Sequence, residues 1–336
     1  MDAALQQESE KLVRSWMQYD AEFLRNYLVA SVEDPRLNIQ SILTRHFLMA
    51  ELCGSQFDEL MLQELRFAAT LSWLEKRLAT FEERQALLHA LRHGADNAEG
   101  DPIPHFVGNT FAALPARASE VHIPNYLEEL LTDKAAHPEE SGRSRKTHDL
   151  FLTLWRTALA GQSPPRVSVL EPACGSANDY RFLEACGLAR MMDYVGFDLC
   201  EKNIANARAL FPHARFDIGN VFAIAAGDQS FDLCFVHDLL EHLSPAGFER
   251  ALAELCRVTR RGLCVHFFQM VEMPEHIVRV VGEYHINTLS LERTEALFLR
   301  HGFAVHPLHT GTYLRQRTGC AETHNPNAYT FLAFRA

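Results

Sequence analysis

From Val167 onward, short β-branched or aromatic runs alternate with helical segments, and few folds accept that order. The runs lie at 167–170, 194–197, 214–218, 231–236 and 263–268, and a helical stretch at 149–159 precedes them. Strands separated by helices are expected to lie parallel in one sheet, with helices on both faces. Ligands of such sheets sit where loops leave the carboxyl ends of the strands. Two further runs, 304–314 and 329–334, read as strands pairing as a hairpin, with a surface loop at 315–328 between them.

The first ~95 residues follow a different rhythm. Leu12, Val13, Trp16, Met17, Phe23, Leu24, Tyr27 and Leu28 recur at spacings of three and four, with charged residues between them. A second helix is expected after Asp34-Pro35, with Ile39, Ile42, Leu43 and Phe47 on one stripe. A third runs from Phe57 to about Leu78 with Glu64 breaking its stripe, and a fourth from Phe81 to Arg92 stops at Gly94. The simplest reading of these stripes is a helix-bundle core. The stretch 96–115 is rich in Pro, Gly and Asn, and 137–147 (HPEESGRSRKT) is polar enough to be a linker. The expected division is therefore a helical domain at 1–136, a linker at 137–147 and an α/β domain at 148–336.

Composition narrows the function. The formal charge of −11 comes from 43 acidic and 32 basic residues, and the one dense basic stretch, 142–146, lies in the linker. Nucleic acid, which needs a cationic face, is not an expected partner. No apolar run approaches the roughly 18 residues of a membrane span, and the N-terminus lacks the features of a signal peptide. The 8 cysteines form no C-x-x-C pair and the 17 histidines no H-E-x-x-H set, so neither metal nor disulfides are expected and the compartment reads as reducing and cytoplasmic.

Chemistry concentrates where the strands end. The first strand runs into Glu171-Pro172-Ala173-Cys174-Gly175-Ser176-Ala177-Asn178, an acid followed by small residues that let a ligand approach the backbone. One glycine alone fits a plain tight turn equally well. The second strand ends in Asp198, 23 residues beyond Gly175, placed to accept from ribose hydroxyls or to cap the next helix.

VLEPACGSAND followed by YVGFDLCEKNIANAR resembles the first two motifs of class I S-adenosylmethionine-dependent methyltransferases. Phe216 to Val221, Ser230 to Leu243, Leu255 to Leu263 and Leu289 to Phe303 continue the resemblance in order, so that it covers roughly 148–336. It implies a Rossmann-like α/β fold, a mostly parallel seven-stranded sheet ending in an antiparallel hairpin, here preceded by an all-helical region. It also implies S-adenosyl-L-methionine as the cofactor. Glu171 would face the methionine amino group and Ala173 and Gly175 the backbone side of the ligand. Asp198 would hold the ribose, Leu199 an adenine face, Asn220 and Val221 the adenine edge, and His237 and Asp238 the methionine moiety and sulfonium. Ala173 and Ala177 stand where the family has glycine, and Asn220 where it has aspartate.

Tyr180, His266, Gln269, Tyr284, His285 and Asn287 fall where they could wall an acceptor pocket. His237 is the first candidate for a general base, His266 the second, and Tyr180 a further catalytic candidate. Glu241-His242 reads as helix punctuation. Tyr27, Asn38, Gln40, Arg45 and His46 make the N-terminal part more polar than a plain bundle needs. The reading that follows is methyl transfer to a small molecule under a helical lid. The alternatives are chemistry on the aminocarboxypropyl arm (transfer, or cyclisation to azetidine-2-carboxylate) with release of methylthioadenosine, a non-catalytic binding protein, and an N-terminal part that serves dimerisation or a protein partner. Acceptor and oligomeric state stay open.

Overall fold

A computed structural model describes residues 3–26, 34–77, 149–320 and 325–336. Tyr27, the expected fourth helix at 81–92, the irregular stretch at 96–115 and the linker at 137–147 lie outside the described residues.

The N-terminal region is helical: α1 (Ala3–Met17), α2 (Ala21–Asn26), α3 (Ile39–Cys53) and α4 (Asp58–Arg77). The first apolar stripe breaks into two helices at residues 18–20. Asp20 caps the second through its carboxylate, which accepts from Phe23 N at 2.7 Å. Asn38 caps α3, accepting from Gln40 N (2.9 Å) and Ser41 N (3.1 Å), and Gly54, whose positive φ (60°) favours glycine, ends it.

The rest alternates as α5 (Leu150–Leu159), β1 (Val167–Pro172), α6 (Asn178–Ala185), β2 (Met192–Asp198), α7 (Glu201–Leu210), β3 (Arg215–Ile218), β4 (Phe231–Val236), α8 (Pro245–Val258) and β5 (Thr259–Phe267). Four two-residue strands follow, β6 (Met270–Val271), β7 (Val280–Val281), β8 (Tyr284–His285) and β9 (Leu289–Ser290). The chain then runs through α9 (Leu291–Arg300), β10 (Phe303–His309), α10 (Thr310–Thr318) and β11 (Tyr329–Arg335). The sheet order is β10-β11-β5-β4-β1-β2-β3; β1 to β5 run parallel, and β11 alone is reversed, pairing antiparallel with both β5 and β10. The chain reverses direction across the sheet between β1 and β4, the switch point where such folds open a crevice.

The end of the chain departs from expectation: Thr310–Thr318 is helix, where strand is expected at 310–314 and loop at 315–318. Thr-Gly-Thr-Tyr-Leu has strand-like composition, yet His309 Nδ1 accepts from Thr312 N at 3.0 Å and starts α10, whose Leu314 is fully buried. Packing against α4 overrides local propensity there.

Successive strand residues feed two apolar clusters on opposite sheet faces. Val169, Leu233, Phe235 and Cys264 belong to one; Leu170, Cys234, Val236 and Leu263 belong to the other. The stripes of α3 and α4 join the first cluster together with α5 and α6, while Leu5 of α1 joins the second. The helices therefore pack onto the sheet and not only on one another. Gln40 marks the junction, donating from Nε2 to the carbonyls of Tyr329 (2.9 Å) and Phe267 (3.4 Å).

Glu64, the break in the α4 stripe, is also explained. Its buried carboxylate accepts from Arg45 Nη2 (3.0 Å), His46 Nε2 (2.8 Å) and Trp155 Nε1 (2.7 Å). Burial alone would raise its pKa, but Arg45, His46 and Trp155 together bring it down to about 2. Asn38, Gln40, Arg45 and His46 thus cap a helix or satisfy buried groups.

Candidate active site

The loop after β1 is built around left-handed backbone. Ala173 (φ 56°), Gly175 (φ 54°) and Ala177 (φ 65°) all adopt it, and Asp238 after β4 does so too (φ 45°). Non-glycine residues held this way cost on the order of 1–3 kcal/mol each and concentrate at functional sites. The family's glycine preference at 173 and 177 therefore has a backbone cause that alanine meets at a cost.

Asp198 ties this loop to the next strand. Its Oδ2 accepts from Gly175 N (3.0 Å), and its Oδ1 from Cys200 N (2.8 Å) and Asn203 Nδ2 (3.2 Å). Burial raises its pKa, against the pull of these donors. Glu171 is also buried and accepts from the Tyr194 hydroxyl. Burial first, then the charges of Asp179 and Asp198, push its carboxyl well above the usual range.

These groups border a cavity of about 290 Å³ at the carboxyl ends of β1, β2 and β4, near the lower end of the range for small-molecule pockets. Glu171, Ala173, Gly175, Asp198, Leu199, Asn220, Val221, His237 and Asp238 all line it, so every sequence-predicted cofactor residue reaches one place. Asn220 does so with its amide engaged, Oδ1 accepting from Phe222 N (2.9 Å) and Nδ2 donating to Ser9 Oγ (2.8 Å). That pins α1 and leaves Val221 beside the cavity.

The three catalytic candidates separate. His237 lines the cavity, but its Nδ1 lies 2.7 Å from Asp179 Oδ2 and its Nε2 2.8 Å from Thr44 Oγ1, so both nitrogens are engaged. His266 is buried behind it, off the cavity lining, with ring centroids 4.0 Å apart. Tyr180 packs against Tyr194, Phe211 and Phe216 and is likewise no part of the lining; burial pushes its hydroxyl up to about 12. Of the other candidates Tyr284 lines the cavity, whereas Gln269, His285 and Asn287 brace the segment behind it. Asn287 Nδ2, for example, donates to Leu243 O at 2.7 Å.

His242 carries more than punctuation. It lines the cavity, with Nε2 2.9 Å from Asp238 Oδ1 and Nδ1 3.0 Å from the His285 carbonyl. Burial lowers its pKa, but the Asp238 carboxylate outweighs that and raises it to about 9. Asp179 and the α1–α2 residues Trp16, Tyr19 and Phe23 also reach the cavity unannounced by any motif. Tyr19 and Phe23 stack at 4.7 Å, and Lys202 Nζ holds the turn between the helices by donating to the carbonyls of Met17 (2.6 Å) and Tyr19 (2.8 Å).

The residues fit the cofactor that the motifs imply. A Cβ on Gly175 would lie 3.0 Å from Asn178 Nδ2, so that side chain would have to give way, and the positive φ of 54° disfavours any other residue there. Asn178 Oδ1 is buried without a hydrogen-bond partner beside the two acids, an acceptor set suited to an amino-acid and ribose ligand. No group of His, Cys, Asp and Glu suited to a metal ion occurs among the described residues.

Residues 169–262 match a family model described as a methyltransferase domain. No curated protein matches the sequence. Among solved structures, similarity extends to a Methanosarcina mazei S-adenosylmethionine-dependent methyltransferase at 16% identity, covering 53% of this chain and 96% of that one with a TM-score of 0.39. A Mesorhizobium loti methyltransferase is likewise 16% identical, covering 53% and 96% with a TM-score of 0.38. The 1,6-didemethyltoxoflavin-N1-methyltransferase of Burkholderia thailandensis, solved with S-adenosylhomocysteine, is 16% identical and covers 63% and 88% with a TM-score of 0.37.

Proposed function

We propose that this chain, whose C-terminal part carries a class I S-adenosylmethionine-dependent methyltransferase domain, transfers a methyl group to a small-molecule acceptor beneath α1 and α2. The observation that carries this reading is the cavity itself. It lies at the strand ends where the cofactor motifs converge, and helical aromatics from outside the α/β part close over it.

Glu171 and Asp198 hold the amino-acid and ribose ends of the cofactor, Gly175 gives the backbone its close approach, and Leu199 and Val221 flank the adenine. When bound, S-adenosylmethionine supplies an electrophilic methyl group on its sulfonium. Orientation of the acceptor is then the main task of the protein, and it can supply ~7–11 kcal/mol of the barrier. Trp16, Tyr19 and Phe23 exclude water, in the manner of a lid. His237, engaged at both nitrogens, orients Asp179 instead of taking the acceptor proton. A small-molecule partner suits the modest cavity, and the net charge of −11 opposes nucleic acid. No helix among the described residues is long and apolar enough to cross a membrane.

The test is product analysis by mass spectrometry after incubation with S-adenosylmethionine, with and without a panel of small nucleophiles. Acceptor-dependent S-adenosylhomocysteine is the expected result. Methylthioadenosine accumulating without an acceptor overturns methyl transfer in favour of chemistry on the aminocarboxypropyl arm. Failure to bind S-adenosylmethionine at millimolar concentration overturns both.

A further inference from the structure

Asp238 follows β4 by two residues in left-handed backbone (φ 45°), and its carboxylate is fixed on one side only. Oδ1 lies 2.9 Å from His242 Nε2. Oδ2 has no hydrogen bond among the described residues, and the side chain is 33% exposed where it lines the cavity.

The protonation of His242 follows from its partners. Nδ1 faces the His285 carbonyl at 3.0 Å and Nε2 faces the Asp238 carboxylate, two groups that only accept. Both ring nitrogens therefore carry hydrogen, and the ring is an imidazolium. Burial opposes that cation, but the hydrogen bond and charge of Asp238, and then the charge of Glu241, outweigh it. The clamp is braced from behind. Asn287 donates from N to the Glu241 carbonyl (3.0 Å) and from Nδ2 to the Leu243 carbonyl (2.7 Å), while its Oδ1 accepts from Arg279 N (3.2 Å). These bonds fasten the segment that carries His285 to the loop that carries His242. Tyr284, next to His285, also lines the cavity, its ring edge-on to His242 at 5.9 Å between centroids.

The charge of the lining narrows what Oδ2 can meet. Asp179, Asp198 and Asp238 line the same cavity, and His237 and His242 are each tied to one of them. An anionic acceptor meets like charge there. An acceptor with no hydrogen on its attacking atom displaces water from Oδ2 and leaves that oxygen unsatisfied.

We propose that Asp238 is the acceptor-binding carboxylate of this cavity, with His242 as its positioning residue. Through Oδ2 it takes an uncharged acceptor whose attacking nitrogen or oxygen carries a hydrogen. The inference rests on the methyltransferase reading of the cavity. Asp238 Oδ2 accepts the proton that the attacking atom releases as its lone pair bonds to the methyl carbon, the electron pair of the broken S–CH3 bond staying on sulfur. The proton then passes to water at the exposed side of the carboxylate.

The experiment is a ligand-observed NMR titration of the full chain saturated with S-adenosylhomocysteine. The probes are aniline and phenol, which carry the donor, toluene, which matches them in size without it, and benzoate, an anion. Wild type should bind aniline and phenol about tenfold more tightly than toluene, as a hydrogen bond to a charged group allows, and benzoate no better than toluene. Asp238→Gly suits the left-handed backbone and so removes only the carboxylate. It should abolish the preference and leave the affinity for S-adenosylhomocysteine within about twofold of wild type. His242→Gln still offers an N–H to Asp238 Oδ1 and should keep most of the preference, whereas His242→Leu should lose it.

Equal binding of aniline, phenol and toluene by the wild type, or a preference that survives in Asp238→Gly, overturns the acceptor site. Benzoate binding more tightly than toluene overturns the uncharged class. If Asp238→Gly weakens S-adenosylhomocysteine as much as it weakens aniline, the carboxylate serves the cofactor and the proposal is again overturned. Gln and Leu variants of His242 that behave alike overturn its positioning role, and their binding of S-adenosylhomocysteine reports that both are folded. A wild-type chain that binds neither S-adenosylmethionine nor S-adenosylhomocysteine overturns the underlying reading, a result distinct from any variant-specific one.

Discussion

The two helical layers that pack on the α/β part are held in opposite ways. The wall made by α3 and α4 is internal: Ile42, Leu48, Met49, Ala69 and Leu71 are fully buried, and Arg45 and Glu64 pair beneath them with side chains 2% exposed. The roof made by α1 and α2 buries little beyond Leu5, Ser9 and Leu24. It presents Trp16, Tyr19 and Phe23 at 36%, 39% and 43% exposure and is held by separate polar ties: Glu8 to Ser244 (2.6 Å to N, 2.5 Å to Oγ), Asn220 to Ser9, Lys202 to two carbonyls, and Asn206 to the Ala21 carbonyl (2.8 Å). A layer buried in the core cannot move without opening that core, whereas one tied by a few partly exposed hydrogen bonds can lift at modest cost. The wall is thus the fixed layer, and the roof is the one that can lift.

The largest effect should come from the wall. Glu64→Ala leaves Arg45 buried without its partner and is expected to cost ~3–5 kcal/mol of stability in chemical denaturation. If it costs under ~1 kcal/mol, the wall is no firmer than the roof and the comparison fails. The same carboxylate gives a pH signature. Its folded pKa, about 2, lies below its ordinary 4.5, so its contribution is present above pH 4.5 and lost as pH falls from there towards 2. Acid denaturation curves of wild type and Glu64→Gln should therefore converge across that window.

On the cavity lining, His242 behaves in the opposite sense. Its folded pKa is raised from 6.5 to about 9, so the tie to Asp238 is complete below pH 6.5 and lost as pH rises through 9. A histidine ring-proton titration by NMR should find this resonance, and His242→Gln should abolish it. For the roof, Lys202→Ala removes two hydrogen bonds and is expected to change global stability by about 1 kcal/mol or less. It should nevertheless raise the acrylamide quenching of Trp16, whose fluorescence is isolated in a background where Trp73 and Trp155 are replaced by Phe. A loss matching that of Glu64→Ala would mean that the roof is core. The one effect of opposite sign lies in the floor: Ala173→Gly relieves left-handed strain and should stabilise by about 1 kcal/mol in the same denaturation assay.

Much of the floor was legible in the sequence. The run into Glu171, the small residues to Asn178 and the acid at Asp198 are local signals, because a strand end and a tight turn are set by a few consecutive residues. The alternating runs likewise gave the parallel strands to within a few residues. The expected strand at 310–314 was misread because its β-branched and aromatic composition is a weak prior that packing against α4 reversed. The machinery behind the floor had no local signal. Thr44 meets His237 across 193 residues of sequence and His266 across 222, and Asp179 meets His237 across 58. His242 looked like punctuation because its partner, Asp238, becomes significant only once both face the same cavity.

The sequence by itself determined the α/β alternation, the tight loop of small residues after the first strand, and the amphipathic helices that precede it. Each follows from periodicity or from backbone demands spanning a few residues. Only the tertiary structure decided that α3 lies against β5 and β11, that Glu64 answers Arg45, His46 and Trp155, and that α1 and α2 roof the cavity. The physical reason is that a buried polar group is satisfied by whatever donor the fold brings within about 3 Å, and sequence separation sets no limit on which residue that is.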